Sequence, residues 1–304
     1  MEHRDKHAAT GASAPIGKRR RRRLPRWADR LITMVVILIG VGLMVWPWVL
    51  DRFEAAGVFN QIDAVSSTVD ALSAQERERI LLQARAYNEL LAGEDSELAA
   101  DQVAPYEEQL VFDRDPMMSW VEIPSINVSM PIYHGTGEEA LMAGVGHLEG
   151  TSLPVGGTSS HCVLTAHSGM RNLSMFDDIH ALREGDLVLL HTVDRTLAYK
   201  VAGSEVVWPD EAGSLAIESG ADKLTLVTCT PYGVNDHRLL VHCDRTEYVE
   251  QEAAEQRSLL ARHWGKREIA VLVVVAAVVL ILLDIIIHRL RRRRGGDRRV
   301  RPLS

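Results

Sequence analysis

Two long stretches without internal charge constrain this chain more than any other feature of its sequence. Residues 31–50, LITMVVILIGVGLMVWPWVL, carry no charge, and residues 269–287, IAVLVVVAAVVLILLDIII, carry one acid, Asp284. Each stretch is long enough to cross a hydrocarbon core of about 30 Å. The sequence therefore predicts two transmembrane helices, separated by roughly 215 residues that are enough to form a sizeable core.

Arginine-rich segments flank both predicted spans on the sides that face away from the middle of the chain. Arg19–Arg23 precede the first span and Arg291–Arg294 follow the second. Because basic flanks stay in the cytoplasm, both ends are expected inside the cell, and the middle is expected outside. The expected parts are a basic cytoplasmic tail (1–30), a span (31–50), an extracellular middle, a second span (269–287) and a second basic tail (288–304).

The extracellular middle is strongly acidic. Residues 51–268 contain 16 Lys and Arg against 36 Asp and Glu, a balance of −20, whereas the whole chain has a net charge of −7. This balance argues against a nucleic-acid partner and would attract a cationic one. Most of these acids are expected to lie on the solvated surface.

The secondary structure of the middle part changes from helical to β along the chain. Residues 73–93 predict an amphipathic helix with a capping box formed by Ser73 and Glu76, and the polar segment 93–116 predicts a long loop. Helical pieces are expected at 138–144 and 175–182. Short β-type runs occupy 120–124, 126–133, 162–167, 186–193, 197–208, 224–229 and 238–243. Many short strands with turn signals between them predict a closed barrel or a sandwich.

Cys229 lies at the end of the apolar run LTLVTC and before a loop, so its thiol is expected at the surface, although most lone cysteines are buried. A nucleophilic thiol needs a neighbour that favours the thiolate and later protonates a leaving group, and His167 ends its own run in the same way. Arg238 begins the next run, so a hairpin would return it towards Cys229. An arginine there can hold a carbonyl or stabilise an oxyanion.

Longer motifs surround these three residues. They are TLVTC followed after eight residues by Arg238, a strand ending in TAH, and the stretches IPSINVSMPIYHGT, GVGHLEGTSLPVGG, LTAHSG and TCTPYGVNDHRLLV. Together they resemble the sortases, the cysteine transpeptidases of Gram-positive cell surfaces, and above all the pilus-building class C members. The resemblance covers roughly residues 105–250. It implies a mainly β fold, a closed eight-stranded sortase barrel over 117–250, with short helices, a helical and lid-like region (51–116) and a juxtamembrane linker (251–268).

The resemblance also implies a mechanism. Cys229 would be the nucleophile, His167 the general acid and Arg238 the clamp for substrate and oxyanion, while Thr228 would help to fix the substrate backbone. Cys229 would cleave an LPxTG-like sorting signal of a pilin or surface protein and form a thioester. A pilin lysine would resolve that thioester and so polymerise pili, without a cofactor or a metal.

Two other functions stay open. Within the enzyme class, the alternative is a sortase that attaches single surface proteins to a peptidoglycan precursor. In a different class, the alternative is a metal-binding membrane receptor, although the Cys-x₂-Cys pair of a zinc ribbon is absent. Its soft ligands would be His161, Cys162, His167, Cys229, His237, His242 and Cys243.

Pilus-type sortases commonly cover the site with a loop that carries an Asp-Pro-aromatic motif. In the corresponding interval here, residues 93–120, the lid candidates are Asp115, Pro116 and Met117, which lacks the aromatic ring and lies too close to the next strand to reach far. The stretch 94–104, where the motif is expected, contains no aromatic residue. We therefore predict a weak lid and a thiol that is accessible without activation.

Several cysteines and histidines have no assigned role. In the family's barrel the strands of Cys162 and Cys243 flank the Cys229 strand on opposite sides, roughly 10 Å apart, so these two cysteines are expected to be unpaired. The remaining histidines are expected to be polar turn or surface residues, namely His134, His147, His161, His237 and His242.

Overall fold

A computed structural model describes residues 61–112, 116–168, 175–211, 213–231 and 233–258, together with isolated helical positions between Val35 and Trp46. The chain divides into two compact units, residues 1–47 and residues 48–304. None of the helices within these described residues is both long and apolar enough to cross a bilayer. The second predicted span, both basic tails and Asp115 lie outside the described residues.

Eight strands form one closed barrel, which confirms the predicted fold. Around the barrel they follow the order β1-β2-β3-β4-β7-β8-β6-β5. The strands are β1 (Met117–Ile123), β2 (Val128–His134), β3 (Val145–His147), β4 (Ser160–Thr165), β5 (Leu187–Thr192), β6 (Arg195–Val207), β7 (Asp222–Thr230) and β8 (His237–Thr246). Strand β3 is absent from the sequence prediction because three residues are too few to show an alternating pattern.

The strand directions define two rims of the barrel. Strands β4 and β7 run parallel, and β8 runs antiparallel beside β7, so β4 and β7 end where β8 begins. We call this end, at Thr165, Thr230 and His237, the upper rim. The lower rim is the end where β4, β6 and β7 begin. Side chains of Leu164, Leu226 and Val241 point inward and are part of the core between the rims.

The described helices lie outside the barrel. They are α1 (Ala74–Leu91), α2 (Glu138–Ala143), and the helical residues 61–71 and 250–258, with 3₁₀ turns at Ala100–Gln102, Tyr106–Glu108, Pro124–Ile126, Ile179–Ala181 and Gly213–Leu215. The helix predicted over 175–182 is therefore wrong except for its last turn. Met175 and Phe176 are fully buried instead, because they fill the core from an irregular segment.

Helix α1 begins at the predicted capping box. Ser73 Oγ accepts a hydrogen bond from the Glu76 amide at 3.2 Å, and Glu76 Oε2 accepts one from the Ser73 amide at 2.9 Å. These bonds satisfy amides that a helix N-terminus would otherwise leave unpaired. At the other end of α1 the buried Asn88 side chain bonds both backbone groups of Leu153. Because Leu153 lies in the β3–β4 loop, α1 is attached to the lower rim.

The helical residues 250–258 pack against the outer wall of the barrel. Ala253 is fully buried among Leu187, Leu189 and Ala198. Arg257 donates two hydrogen bonds to Glu122 on β1, at 2.5 and 2.9 Å. Burial opposes the ionisation of Glu122, but hydrogen bonds from His191 and Arg257 outweigh it and lower its pKa to about 2. A paired carboxylate therefore joins the segment after β8 to the barrel.

Replacement of Glu122 by glutamine is expected to destabilise the barrel by about 2–3 kcal/mol at pH 7, because the carboxylate is more acidic in the folded state. This contribution is present above the unfolded pKa of 4.5 and is lost as pH falls from there towards 2. Urea unfolding of residues 51–265 at pH 7 and pH 3 measures the difference. Glu218→Gln, at an exposed pair with Lys223, is the matched control and should change little. Equal stability of wild type and Glu122→Gln at both pH values would contradict this prediction.

Candidate active site

The strands β4 and β7 bring His167 and Cys229 to the same point of the upper rim. Thr165 pairs with Val227 in the parallel ladder, and the Ala166 amide donates to the Val227 carbonyl at 3.2 Å. His167 and Cys229 each lie two residues beyond this pair, in matching register. Adjacent strands lie about 4.8 Å apart, so the two backbones are neighbours at this position.

The alternation of buried and partly exposed residues shows which face these side chains occupy. Ala166 and Thr228 are buried, whereas His167 and Cys229 are partly exposed. Because successive residues of a strand point to opposite faces, both functional side chains lie on the outer face of the barrel. This placement makes the thiol accessible at the wall of the barrel rather than in its core.

Arg238 occupies the position directly opposite Cys229. The two residues are partners in the antiparallel ladder of β7 and β8, so their side chains share a face. The guanidinium Nη1 of Arg238 donates to the carbonyls of Asn235 and His237, at 3.2 and 3.0 Å. The predicted hairpin is therefore present. Because β4, β7 and β8 are neighbours in the barrel, His167, Cys229 and Arg238 lie in one row.

Two hydroxyl groups connect β4 to β7 beneath this row. Ser168 Oγ donates to the Cys229 carbonyl at 2.7 Å, and the buried Thr228 Oγ1 donates to the Ala166 carbonyl at 2.8 Å. Thr228 thus faces inward. We expect Thr228 to affect substrate binding only indirectly, by fixing the position of β7 relative to β4. Ser168 was missed by sequence reasoning, although it directly follows the TAH motif.

The row can perform acyl transfer. A thiol on an accessible strand end can attack a carbonyl, an imidazole on the adjacent strand can carry a proton, and a guanidinium on the other side can stabilise the oxyanion. Groups on strand ends of a closed barrel are held rigidly, which favours a well-defined geometry. This arrangement is one that a cysteine transpeptidase requires.

The other two cysteines are free and buried, which confirms the prediction for them. Cys162 and Cys243 are both in register with Leu224, on either side of β7, and so are two ladder spacings apart. Burial raises the pKa of both thiols well above the ordinary value. Both thiols therefore stay protonated at neutral pH, and a protonated, buried thiol is a poor nucleophile.

Two histidines differ from the expectation of surface residues. His147 is fully buried, with Nδ1 accepting from the Tyr106 hydroxyl and Nε2 donating to the Ser152 carbonyl, both at 2.9 Å. Burial lowers its pKa to about 4, so it is neutral at pH 7. His161 is also buried, and its Nε2 lies 2.8 Å from Thr225 Oγ1. The burial of these two histidines could not be predicted from the sequence, because their hydrogen-bond partners lie on other parts of the closed barrel.

The metal-binding alternative has a direct structural test. Across the described ranges, no cluster of three or more His, Cys, Asp or Glu side chains has the geometry to hold a metal ion. His161 and His242 instead bond to Thr225 from opposite sides, at 2.8 and 3.0 Å.

Of the lid candidates, Met117 is a buried residue of the barrel wall and not part of a loop. Met117 is 1% exposed and begins β1, where it packs against Val65 and Tyr133; Pro116 precedes it and is exposed. The stretch 94–104 is attached to α1, because the Gln83 side chain bonds the carbonyl of Gln102 and the amide of Ala104. The stretch is thus held against α1 by these two hydrogen bonds.

Deletion of residues 94–104 is expected to change thiol labelling of Cys229 by less than tenfold, because that stretch has no aromatic side chain to cover the thiol and is bonded to α1 through Gln83. The measurement compares labelling rates in a Cys162→Ala, Cys243→Ala background, with and without the deletion. The same circular dichroism spectrum before and after deletion serves as the control for folding. A tenfold or larger increase in rate would show that the stretch covers the thiol and would contradict this prediction.

Comparisons with known proteins agree with this geometry. Residues 121–246 match the sortase domain family. The sortase C1 of GBS pilus island 1 is 40% identical, with 64% of this chain and 94% of that chain covered and a TM-score of 0.58. Clostridium perfringens sortase C, solved with the C-terminal cell wall sorting motif, is 39% identical, with 62% and 100% covered and a TM-score of 0.56.

A curated relative matches over a shorter region. Bacillus anthracis sortase A is 26% identical over 132 residues, which is 43% of this chain and 61% of that protein. The chain thus spans about three-fifths of the length of that relative. The matched family region contains all three residues of the row, and the pilus-island relative is covered almost completely. The chain therefore belongs to the sortase family of cysteine transpeptidases and is similar to its class C members.

Proposed function

We propose that this protein is a membrane-anchored transpeptidase that joins pilins through a Cys229 thioester. The observation that carries the proposal is the row of His167, Cys229 and Arg238 on three adjacent strands of one barrel face. A cysteine, a histidine and an arginine can act in one reaction only when they are neighbours in the structure. Their register gives each of them access to one bound peptide.

In the first half-reaction, the thiolate of Cys229 attacks the carbonyl carbon of the Thr–Gly bond in an LPxTG-like signal. Arg238 stabilises the oxyanion of the tetrahedral intermediate, and His167 donates a proton to the glycine amine as the C–N bond breaks. The tail of the substrate leaves, and the remaining acyl group stays on sulfur as a thioester. Clostridium perfringens sortase C was solved with the C-terminal cell wall sorting motif, and this likeness supports a sorting signal as the substrate class.

In the second half-reaction, a lysine amine of a neighbouring pilin attacks the thioester. The new C–N bond forms as the C–S bond breaks, Cys229 leaves as the thiolate, and the amine proton passes to His167. The product is an isopeptide bond between two pilins. The class C likeness and the relative from a pilus island favour a pilin acceptor over a peptidoglycan precursor.

The two apolar stretches support an anchored orientation. With spans at 31–50 and 269–287 and arginine runs outside both, the barrel would face the outside of the cell membrane with both termini in the cytoplasm. The barrel and its protein substrates would then be on the same, outer side of the membrane.

The proposal is tested by incubating the protein with LPxTG-type peptides and measuring its mass. Formation of an adduct on Cys229 that hydroxylamine removes is the expected result. The acceptor is then identified by adding either a lysine-containing pilin domain or a peptidoglycan precursor amine to the acyl-enzyme. Absence of the adduct would contradict a transpeptidase, and preferential transfer to the precursor would contradict the pilin acceptor.

A further inference from the structure

The upper half of β6 has hydrogen-bonded partners on one side only. Strand β5 pairs with β6 from Arg195 to Lys200, and the last backbone bonds on that side join Val201 to residues 185 and 186. Strand β8 pairs with β6 as far as Val207. Among the described residues, positions 202–207 therefore have a neighbouring strand on the β8 side and none on the other.

This free edge carries apolar side chains that edges usually lack. Natural edge strands are commonly protected by charge, proline or a covering element, because an open edge pairs with other chains. Here Val206 is 58% exposed, and Trp208, directly after the strand, is 54% exposed. The indole of Trp208 is held in place by the His237 ring, with centroids 4.2 Å apart. A fixed, exposed aromatic group at the end of an open edge is a favourable platform for a partner.

The charge around the edge indicates the chemistry of that partner. Residues 202–211, AGSEVVWPDE, contain no lysine or arginine. Four exposed carboxylates lie in or next to this edge: Glu205 bonds His242, Glu211 accepts from the Trp208 amide, Asp236 bonds His237, and Asp210 precedes Glu211. An extended segment that carries lysine is therefore electrostatically complementary to this edge.

The edge is continuous with the active-site row. Val207 is opposite Arg238, and Arg238 is opposite Cys229, so these three side chains lie in one line on the same face of β6, β8 and β7, whereas Val206, opposite Leu239, points to the other face. A strand added to β6 would lie three ladder spacings from β7, which is roughly 14 Å. About four residues of extended chain span that distance.

We propose that the free edge of β6, residues 202–207 together with Trp208, binds a lysine-bearing extended segment of the acceptor protein by strand addition. The attacking lysine lies within about four residues of the bound segment, so strand addition brings its amine to the Cys229 thioester. Main-chain hydrogen bonds supply affinity, and Val206 and Trp208 contact the added side chains. This proposal rests on the proposed transpeptidase function and assigns the acceptor a place of its own, separate from the sorting signal.

The test measures the two half-reactions separately, with the full chain in detergent. Acyl-enzyme is formed with an LPxTG-type peptide and then resolved by hydroxylamine or by a synthetic peptide with one lysine beside alternating valine and threonine. A second peptide has proline in the middle of that alternating stretch, which prevents strand addition. Wild type is expected to transfer to the first peptide at least tenfold faster than to the proline peptide.

Val206→Lys is expected to slow transfer to the strand-forming peptide at least tenfold, because it places a positive charge on the edge. Acylation and resolution by hydroxylamine should stay within twofold of wild type. Val249→Lys, at a valine that is 42% exposed outside this edge, is the matched control and should leave all three rates unchanged. Trp208→Ala provides a second variant and should slow the same transfer step.

The outcomes distinguish this proposal from the proposed function. Failure of wild type to form an acyl-enzyme would contradict the transpeptidase and is seen before any acceptor is added. Normal acylation with equal transfer to both peptides, or with no effect of Val206→Lys and Trp208→Ala, would overturn the docking edge alone. An equal loss of acylation in these variants would also overturn it, since the edge would then serve the sorting signal.

Discussion

Replacement of Cys229 by alanine is expected to abolish both cleavage of the sorting signal and transfer to an acceptor, while the barrel stays folded. The reason is that both half-reactions pass through the sulfur of Cys229, whereas its partly exposed side chain contributes little to the core. Activity should fall to the detection limit in a peptide-cleavage assay, and pilin ladders on a denaturing gel should disappear.

A matched control is available within the same chain. Cys162→Ala removes a thiol from the adjacent strand β4, but that thiol is buried and faces the core, so the variant should cleave peptide at nearly the wild-type rate. Pilin ladders formed by Cys229→Ala would refute the mechanism. Loss of activity in Cys162→Ala with an intact fold would show that the assignment of the chemistry to Cys229 is wrong.

Replacement of Arg238 by lysine is expected to lower kcat/KM by about 10²-fold or more. Lysine keeps the positive charge, but it lacks the planar, forked donor group that holds a carbonyl and a developing oxyanion together. In the resting enzyme Arg238 already donates from one nitrogen to the carbonyls of Asn235 and His237, which holds the guanidinium beside the loop after Cys229. A peptide-cleavage assay under single-turnover conditions measures the effect on acylation.

The control for this substitution lies on the same strand. Arg245 is near the other end of β8, 3.9 Å from Asp222 and above the ring of Tyr199, so Arg245→Lys tests the effect of the exchange on β8 alone. Its rate of acylation should remain close to that of wild type. Turnover of Arg238→Lys close to the wild-type value would show that the guanidinium takes no part in the reaction.

The local pattern of the sequence predicted most elements of the barrel wall. Runs such as 224–229 and 238–243 alternate or are continuously apolar, and the structure places them in β7 and β8 with extensions of a few residues. The capping box at Ser73 was also predictable, because it depends on residues only three positions apart. Elements of this kind are encoded by neighbouring residues, so a single sequence is sufficient to find them.

The proximity of the three proposed site residues was predictable for a different reason. Cys229 and Arg238 are separated by a short loop, so a hairpin alone brings them together, and the surrounding motifs resemble one family. His167 lies 62 residues before Cys229, and only the parallel pairing of β4 with β7 makes them neighbours. Without the resemblance, His167 was one histidine among several at strand ends.

By itself the sequence determined the order and type of most elements, the acidic middle part and the residue types of a thiol-based site, because all of these depend on local pattern and composition. Only the tertiary structure decided which strands are neighbours, which face each side chain occupies and which edge stays open. It buried His147, aligned His167, Cys229 and Arg238 in one row, and left the upper half of β6 without a second partner among the described strands. The physical reason is that strand register and barrel closure depend on contacts between residues far apart in the chain, and a change of one residue in register moves every side chain to the other face.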